Sequence, residues 1–97
     1  MDLHISDVPA AGRYEARREG ALVGILEYVV KRGRLALVHT EVPPELEGRG
    51  IAGALARFAL DDARARALRV IPVCPYVRAF LERHPEFADL VAGSRGR

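Results

Sequence analysis

The sequence changes character once, and the change falls on a short run of glycines, Glu47-Gly-Arg-Gly-Ile-Ala-Gly53. Ahead of it, Ala21 to Val30 is apolar at nearly every position, and Val23, Ile25, Val29 and Val30 supply β-branched residues. Such a run predicts a strand covered on both faces. Leu35 to Val42 reads as another strand, ended by Pro43-Pro44, because proline cannot donate to a ladder. Arg13 to Arg18 reads as a strand before them. Glu19-Gly20 and Arg32-Gly33 are turn signals, so the three strands form an antiparallel meander. Behind the glycines, from Gly50 to about Ala67, there is no proline and alanine dominates, which predicts a helix. Ile51, Leu55, Phe58 and Ala59 fall on one face of it, Arg57, Asp61 and Arg64 on another, and Asp62 and Arg66 form an i,i+4 pair. Arg69 to Val73 is a short strand. Pro75 suits the first turn of a helix that runs from Tyr76 to His84 and stops at Pro85. The predicted order is β-β-β-α-β-α, an α+β domain with helices packed on a mostly antiparallel sheet.

At 97 residues, a chain that is 49% hydrophobic and 29% charged builds one core. One domain is expected over residues 1–92, with Gly93 to Arg97 as a flexible tail. The first residues carry no basic region followed by a long apolar run, and no segment is long enough to span a bilayer. Neither a secretion signal nor a membrane partner is expected. Cys74 is the only cysteine, so no internal disulfide forms, which fits a cytoplasmic protein. Net charge is +2, with thirteen acidic residues interspersed among fifteen basic ones. The tight basic clusters, Arg17-Arg18 and Lys31-Arg32-Gly33-Arg34, sit at turns and read as solvated charge, so nucleic acid is not expected as a partner. No Cys/His cluster has metal-ligand spacing, and no metal is expected.

Gly48 to Gly53 matches G-x-G-x-x-G. A dinucleotide fold needs that pattern directly after a strand, with an acidic residue about twenty positions further on. Here Pro43 to Glu47 intervene, and Leu68 to Pro72 contain no Asp or Glu. A P-loop would need G-K-[ST], which does not follow. The loop nevertheless opens a helix, whose first N–H groups lack partners and whose dipole favours negative charge. Two possibilities stay open on spacing alone. The amides of Gly48 to Gly53 hold a pyrophosphate, or the glycines serve only the turn and close helix packing.

The stretch V-P-P-E-L-E-G-R-G-I-A-G-A-L resembles the pyrophosphate-binding motif of GNAT-type N-acetyltransferases, Gln/Arg-x-x-Gly-x-Gly/Ala. Gly50 and Ala52 match its fourth and sixth positions, and Glu47 stands where Gln or Arg is usual. Gly20 to Tyr28, His39 to Pro43 and Val73 to Phe87 extend the likeness to very small GNAT-like proteins with a Cys-Pro-Tyr or Cys-Pro-Phe motif. The resemblance implies a reduced GNAT (acyl-CoA N-acyltransferase) fold without the first strand-helix part of larger relatives. It implies acetyl-CoA or coenzyme A held by Val42, Glu47, Gly48, Arg49, Gly50, Ile51, Ala52 and Gly53, and an amine acceptor, protein amines included. It also implies a role for Cys74. A sulfur at a strand end and helix N-terminus favours thiolate, the form that accepts an acyl group, whereas the structural alternative is a small buried hydrophobe.

His39 and Glu41 are expected on one strand face with Leu35 and Leu37, pointing at the crevice beside the glycines, where either can take a proton. A histidine on an apolar face also serves as hydrogen-bonded core. Tyr76 and Tyr28 are placed as general acid or as wall, with sheet core the alternative for Tyr28. Arg78 and Arg83 are candidates for the 3′-phosphate, with solvated helix charge as the alternative, and His84 marks a helix end. The expected function is an acetyl-CoA-dependent N-acetyltransferase. The alternative is a non-catalytic acyl-CoA-binding or protein-interaction module.

Overall fold

The computed structural model describes residues 2–93. Its five strands are β1 (Leu3–Val8), β2 (Arg13–Arg18), β3 (Ala21–Lys31), β4 (Arg34–Glu41) and β5 (Arg69–Pro72). Helix α1 (Ile51–Ala65) lies between β4 and β5, and α2 (Pro75–Arg83) follows β5. Short 3-10 turns occupy Pro9–Ala11, Pro44–Leu46 and Pro85–Leu90. The sheet runs β1-β2-β3-β4-β5, antiparallel except for the parallel β4–β5 pair. The α+β class and the meander hold. The order gains one strand at its start, because Leu3–Val8 pairs with β2 along its whole length. Its alternation, Leu3 and Ile5 against His4 and Ser6, is too short to declare a strand without that partner. Of the expected tail, Gly93 is in a turn and residues 94–97 lie outside the described residues.

The hairpin turns form where the sequence places them. Glu19 and Gly20 have φ of 52° and 82°, and Arg32 and Gly33 have 55° and 77°. Positive φ at both central residues defines the two-residue turn whose twist matches paired strands. Inward-facing Tyr14, Ala16, Leu26, Leu35, Leu37 and Val70 meet Leu55, Ala59 and Leu60 of α1 and Val77 and Phe80 of α2 in one cluster. Both helices therefore cover the same face of the sheet. The shortest principal extent, 19 Å, is that of one sheet with one helix layer. The expectation that β3 is covered on both faces holds at Ile25, which is 8% exposed, and fails further along the open side, where Val29 is 55% exposed.

Helix α1 is anchored at both ends. Near its C-terminus the Tyr14 hydroxyl donates to Asp62 at 2.8 Å, and Asp62 also takes Arg66 at 3.1 Å. Burial first, then the Asp62 hydrogen bond, push the Tyr14 hydroxyl well above its ordinary pKa. At its N-terminal end the helix crosses β3 over Gly24, where an added Cβ would stand 2.9 Å from Ile51 Cγ2 and 3.1 Å from Leu55 Cδ1. Replacing Gly24 by Val is therefore expected to overpack this crossing and cost about 1–3 kcal/mol. A thermal melt should show a drop of several degrees; an unchanged midpoint would contradict the close seating.

Candidate functional site

Strands β4 and β5 pair only from Arg34↔Arg69 to Leu37↔Pro72. The chain of β5 then turns away, and the Leu37 carbonyl accepts both the Val73 and Cys74 N–H groups, at 3.1 and 2.9 Å. Beyond Leu37, β4 has no ladder partner on this side among the described residues. A cavity of about 450 Å³ opens next to this separation. Thr40 and Val42 form one wall, Tyr76 another, and Gly48, Gly50 and Gly53 the side next to α1.

Gly48 and Gly50 both have φ of 84°, a left-handed conformation that favours glycine, and Gly50 is the N-cap of α1. No side chain caps this helix end. The first intrahelical bond is Ala54 N–H to the Gly50 carbonyl, which leaves the N–H groups of Ile51, Ala52 and Gly53 for a ligand or solvent. An added Cβ at Gly48 or Gly50 would meet nothing within 4 Å, whereas one at Gly53 would stand 3.4 Å from the Tyr76 hydroxyl. A pyrophosphate-bearing group fits this donor set and this open cradle. Glu47 also lines the cavity and brings a negative charge, while Arg49 is exposed outside the lining. Among the described residues no group of three or more His, Cys, Asp or Glu is placed to hold a metal, and no helix is long and apolar enough to cross a membrane.

The placement of His39 and Glu41 differs from the expectation. The β3–β4 register shifts at Val38: Tyr28 pairs with Leu37, but Glu27 pairs with His39. One extra residue in β4 reverses the alternation beyond it. Leu35 and Leu37 face the core, Thr40 takes the inward position, and His39 and Glu41 face outward with 52% and 67% exposure. They hydrogen-bond to each other at 3.0 Å. Neither lines the cavity beside the glycines; Glu41 lines a separate concavity with Ile25 and Pro43 on the open face. Thr40 carries no sequence signal of its own, since only the bulge turns it inward.

Cys74 is the N-cap of α2 and only 3% exposed. Its Sγ lies 3.3 Å from the Oγ1 of Thr40, which lines the cavity, while Cys74 itself does not. Burial pushes the thiol up, but the Thr40 hydroxyl and backbone groups of Val77, Tyr76 and Thr40 together outweigh it and hold the pKa below its ordinary value. Tyr28 lies away from the cavity. It packs 4.8 Å from the Tyr14 ring and donates to Asp7, and burial, then that hydrogen bond, push its hydroxyl up to about 12. Arg78 is committed to the carbonyls of Pro72 and Val73, at 3.2 and 2.6 Å. Arg83 is exposed in the last turn of α2, and neither arginine lines the cavity.

The overall fold is shared with other proteins of known structure. A GCN5-like protein from Staphylococcus aureus superposes with a TM-score of 0.72 at 23% identity, over 96% of this chain and 91% of that one. The ribosomal-protein-alanine N-acetyltransferase of Brucella melitensis superposes with a TM-score of 0.59 at 22% identity, over 86% and 63%. At these identities the likeness is one of fold. The family follows from the sequence: residues 13–90 match the GCN5-related N-acetyl-transferase family, and the chain belongs to it. Among named relatives, Protein NATD1 of Bos taurus is 44% identical over 61 residues, 63% of this chain and 53% of that protein. Protein NATD1 of Danio rerio is 35% identical over 69 residues, 69% and 62%. The chain thus spans just over half the length of the curated relatives it matches.

The sulfur's environment makes a prediction. Thr40→Val removes the hydroxyl that stabilises the thiolate, so the Cys74 titration should move to higher pH. Thiolate absorbance followed against pH measures this, and an unmoved or lowered midpoint would show that the hydroxyl does not hold the sulfur.

Proposed function

We propose that this chain binds acetyl-CoA in the cavity at the N-terminus of α1 and transfers the acetyl group to an amine. One observation carries the proposal: an uncapped helix N-terminus, entered through Gly48 and Gly50, opens into a cavity walled by Thr40 of β4 and Tyr76 of α2. Acetyl-CoA supplies the acetyl group as a thioester, an acyl donor activated towards amines. The amides of Ile51 to Gly53 and the helix dipole suit its pyrophosphate. Backbone groups on the free edge of β4 and the Tyr76 hydroxyl are the available partners for polarising a carbonyl there. Catalysis then rests mainly on orientation.

In direct transfer the amine nitrogen bonds to the acyl carbon, the carbon–sulfur bond breaks, and the amine proton passes to a base. The mutually bonded His39 and Glu41 are the candidates for that base, acting from the open face. In the alternative route the Cys74 sulfur takes the acyl group first, releasing CoA as its thiol, and passes the acyl group to the amine, which requires the buried sulfur to be uncovered. The acceptor is a small amine or an amine on a protein. A non-catalytic acyl-CoA-binding module is favoured by one observation: His39 and Glu41 do not enter the cavity, and Cys74 is 3% exposed.

Calorimetry with acetyl-CoA tests the binding claim, and release of free thiol with peptide and polyamine acceptors tests transfer. Gly53→Val keeps ordinary helical geometry but crowds Tyr76. Because Gly53 and Tyr76 both line the cavity, the added side chain occupies ligand space and should weaken acetyl-CoA roughly tenfold or more. Dephospho-CoA should bind as well as CoA if Arg78 and Arg83 do not read the 3′-phosphate. If Cys74 is acylated, intact mass after incubation with acetyl-CoA gains one acetyl group, and Cys74→Ala abolishes transfer. If transfer is direct, Cys74→Ala retains it. No binding of acetyl-CoA by the wild type would overturn the proposal, and tight binding without transfer to any acceptor would leave the binding module.

A further inference from the structure

The open face of the sheet carries two successive cross-strand rows and, past them, two exposed valines. At the β3–β4 hairpin end, Lys31 pairs with Arg34 and Arg34 with Arg69, which sets three cations side by side. The next row is Val29, Ala36 and Ile71, all aliphatic. Beyond it come Val38, the bulge residue, and Val73, 38% and 48% exposed, where β4 and β5 part. Val29, Ala36 and Ile71 floor a concavity of about 420 Å³ whose remaining lining is Lys31, Arg32 and Arg34, with no acidic residue in it. Arg69 donates to the Val91 carbonyl. Among the described residues, Lys31, Arg32 and Arg34 make no ion pair and no side-chain hydrogen bond. Other arginines among the described residues are paired with acids: Arg13 and Arg17 with Glu15, Arg57 with Glu86, Arg64 with Asp89, and Arg66 with Asp62.

We propose that this concavity is the docking surface for an extended acidic peptide segment of a partner protein, with carboxylates on Lys31, Arg32 and Arg34 and an aliphatic side chain on the Val29–Ala36–Ile71 floor. Charge complementarity selects the sign of the partner. The floor selects its class. It has no aromatic ring on which a base would stack, which disfavours single-stranded nucleic acid. A concave aliphatic floor takes an inserted side chain, whereas a lipid surface presses on a protruding one. Rows along β4 are two residues apart, about 6.6 Å. An extended peptide therefore places aliphatic side chains two positions apart on the Ala36 row and at Val38, running from the cationic row towards the separation of β4 and β5. This surface binds without coenzyme and stands or falls independently of acetyl transfer.

The probe is a fluorescein-labelled octapeptide of aspartate and glutamate with two leucines two positions apart, titrated by anisotropy at 150 mM salt without coenzyme. Its controls are the same peptide with glycines for leucines, a single-stranded oligonucleotide of equal charge, and vesicles containing phosphatidylserine. Micromolar binding of the leucine peptide is expected, falling roughly tenfold or more for Lys31→Glu/Arg34→Glu. Ile71→Asp should lose it as well, while both variants keep the melting temperature within a few degrees. The glycine peptide should bind more weakly to the wild type. The proposal is overturned if the wild type does not bind the leucine peptide, or if both variants bind it unchanged. Equal binding of the glycine peptide, or tighter binding of the oligonucleotide or vesicles, would overturn it too.

Discussion

Helix α1 approaches the sheet where β3 offers no side chain. Ile51 and Leu55 rest against the backbone at Gly24, and Ala16, its partner in β2, is the small neighbour that keeps the seat shallow. Close approach here fixes the height and tilt of the first turn of the helix. The glycines that enter it, Gly48 and Gly50, are carried with it to the edge of β4. The Tyr14–Asp62 hydrogen bond fixes the other end, so the helix N-terminus has little freedom to leave its cavity. Uncapped amides are useful to an anion only if they are held still, because a preorganised donor need not reorganise when the ligand arrives.

A single extra residue in β4 then sorts the polar side chains between the two faces. Without the bulge at Val38, His39 and Glu41 would continue the inward row of Leu35 and Leu37. With it, Thr40 occupies that row, beside the Cys74 sulfur and in the cavity wall. The hydroxyl serves two structural ends at once. It satisfies a buried sulfur, and it lines the cavity. His39 and Glu41 are left on the open face, bonded to each other and accessible to an acceptor arriving from that side.

The sheet is covered on one side only, and its open side is not uniform. Cations that make no ion pair among the described residues collect at the β3–β4 hairpin, aliphatic residues cross the middle of β3, β4 and β5, and the His39–Glu41 pair lies towards the far end of β4. Solvated turn charge accounts for the cluster at Lys31 to Arg34 as long as only the hairpin is considered. Folding adds the aliphatic floor from β4 and β5 and brings Arg69 alongside, residues distant in sequence. This combination of charge and aliphatic floor is what the proposed docking of an acidic segment rests on.

Much of the architecture is local and therefore written in the chain. The turns at Glu19-Gly20 and Arg32-Gly33 follow from residues that tolerate positive φ, and the bounds of α1 and α2 follow from proline, glycine and helix-forming composition. The entry of α1 through Gly48 and Gly50, and with it the family, is legible for the same reason. What the sequence leaves open depends on pairing between distant segments. Strand β1 exists because β2 pairs with it along its length. The open face of β3 is exposed at Val29 because α1 and α2 both pack on the other. Thr40 points inward, and His39 and Glu41 outward, because the β3–β4 register slips by one residue at Val38. Side chains alternate with a period of two, so a one-residue slip exchanges the faces of everything beyond it, and the pattern of a single strand carries no mark of where its partner will impose that slip.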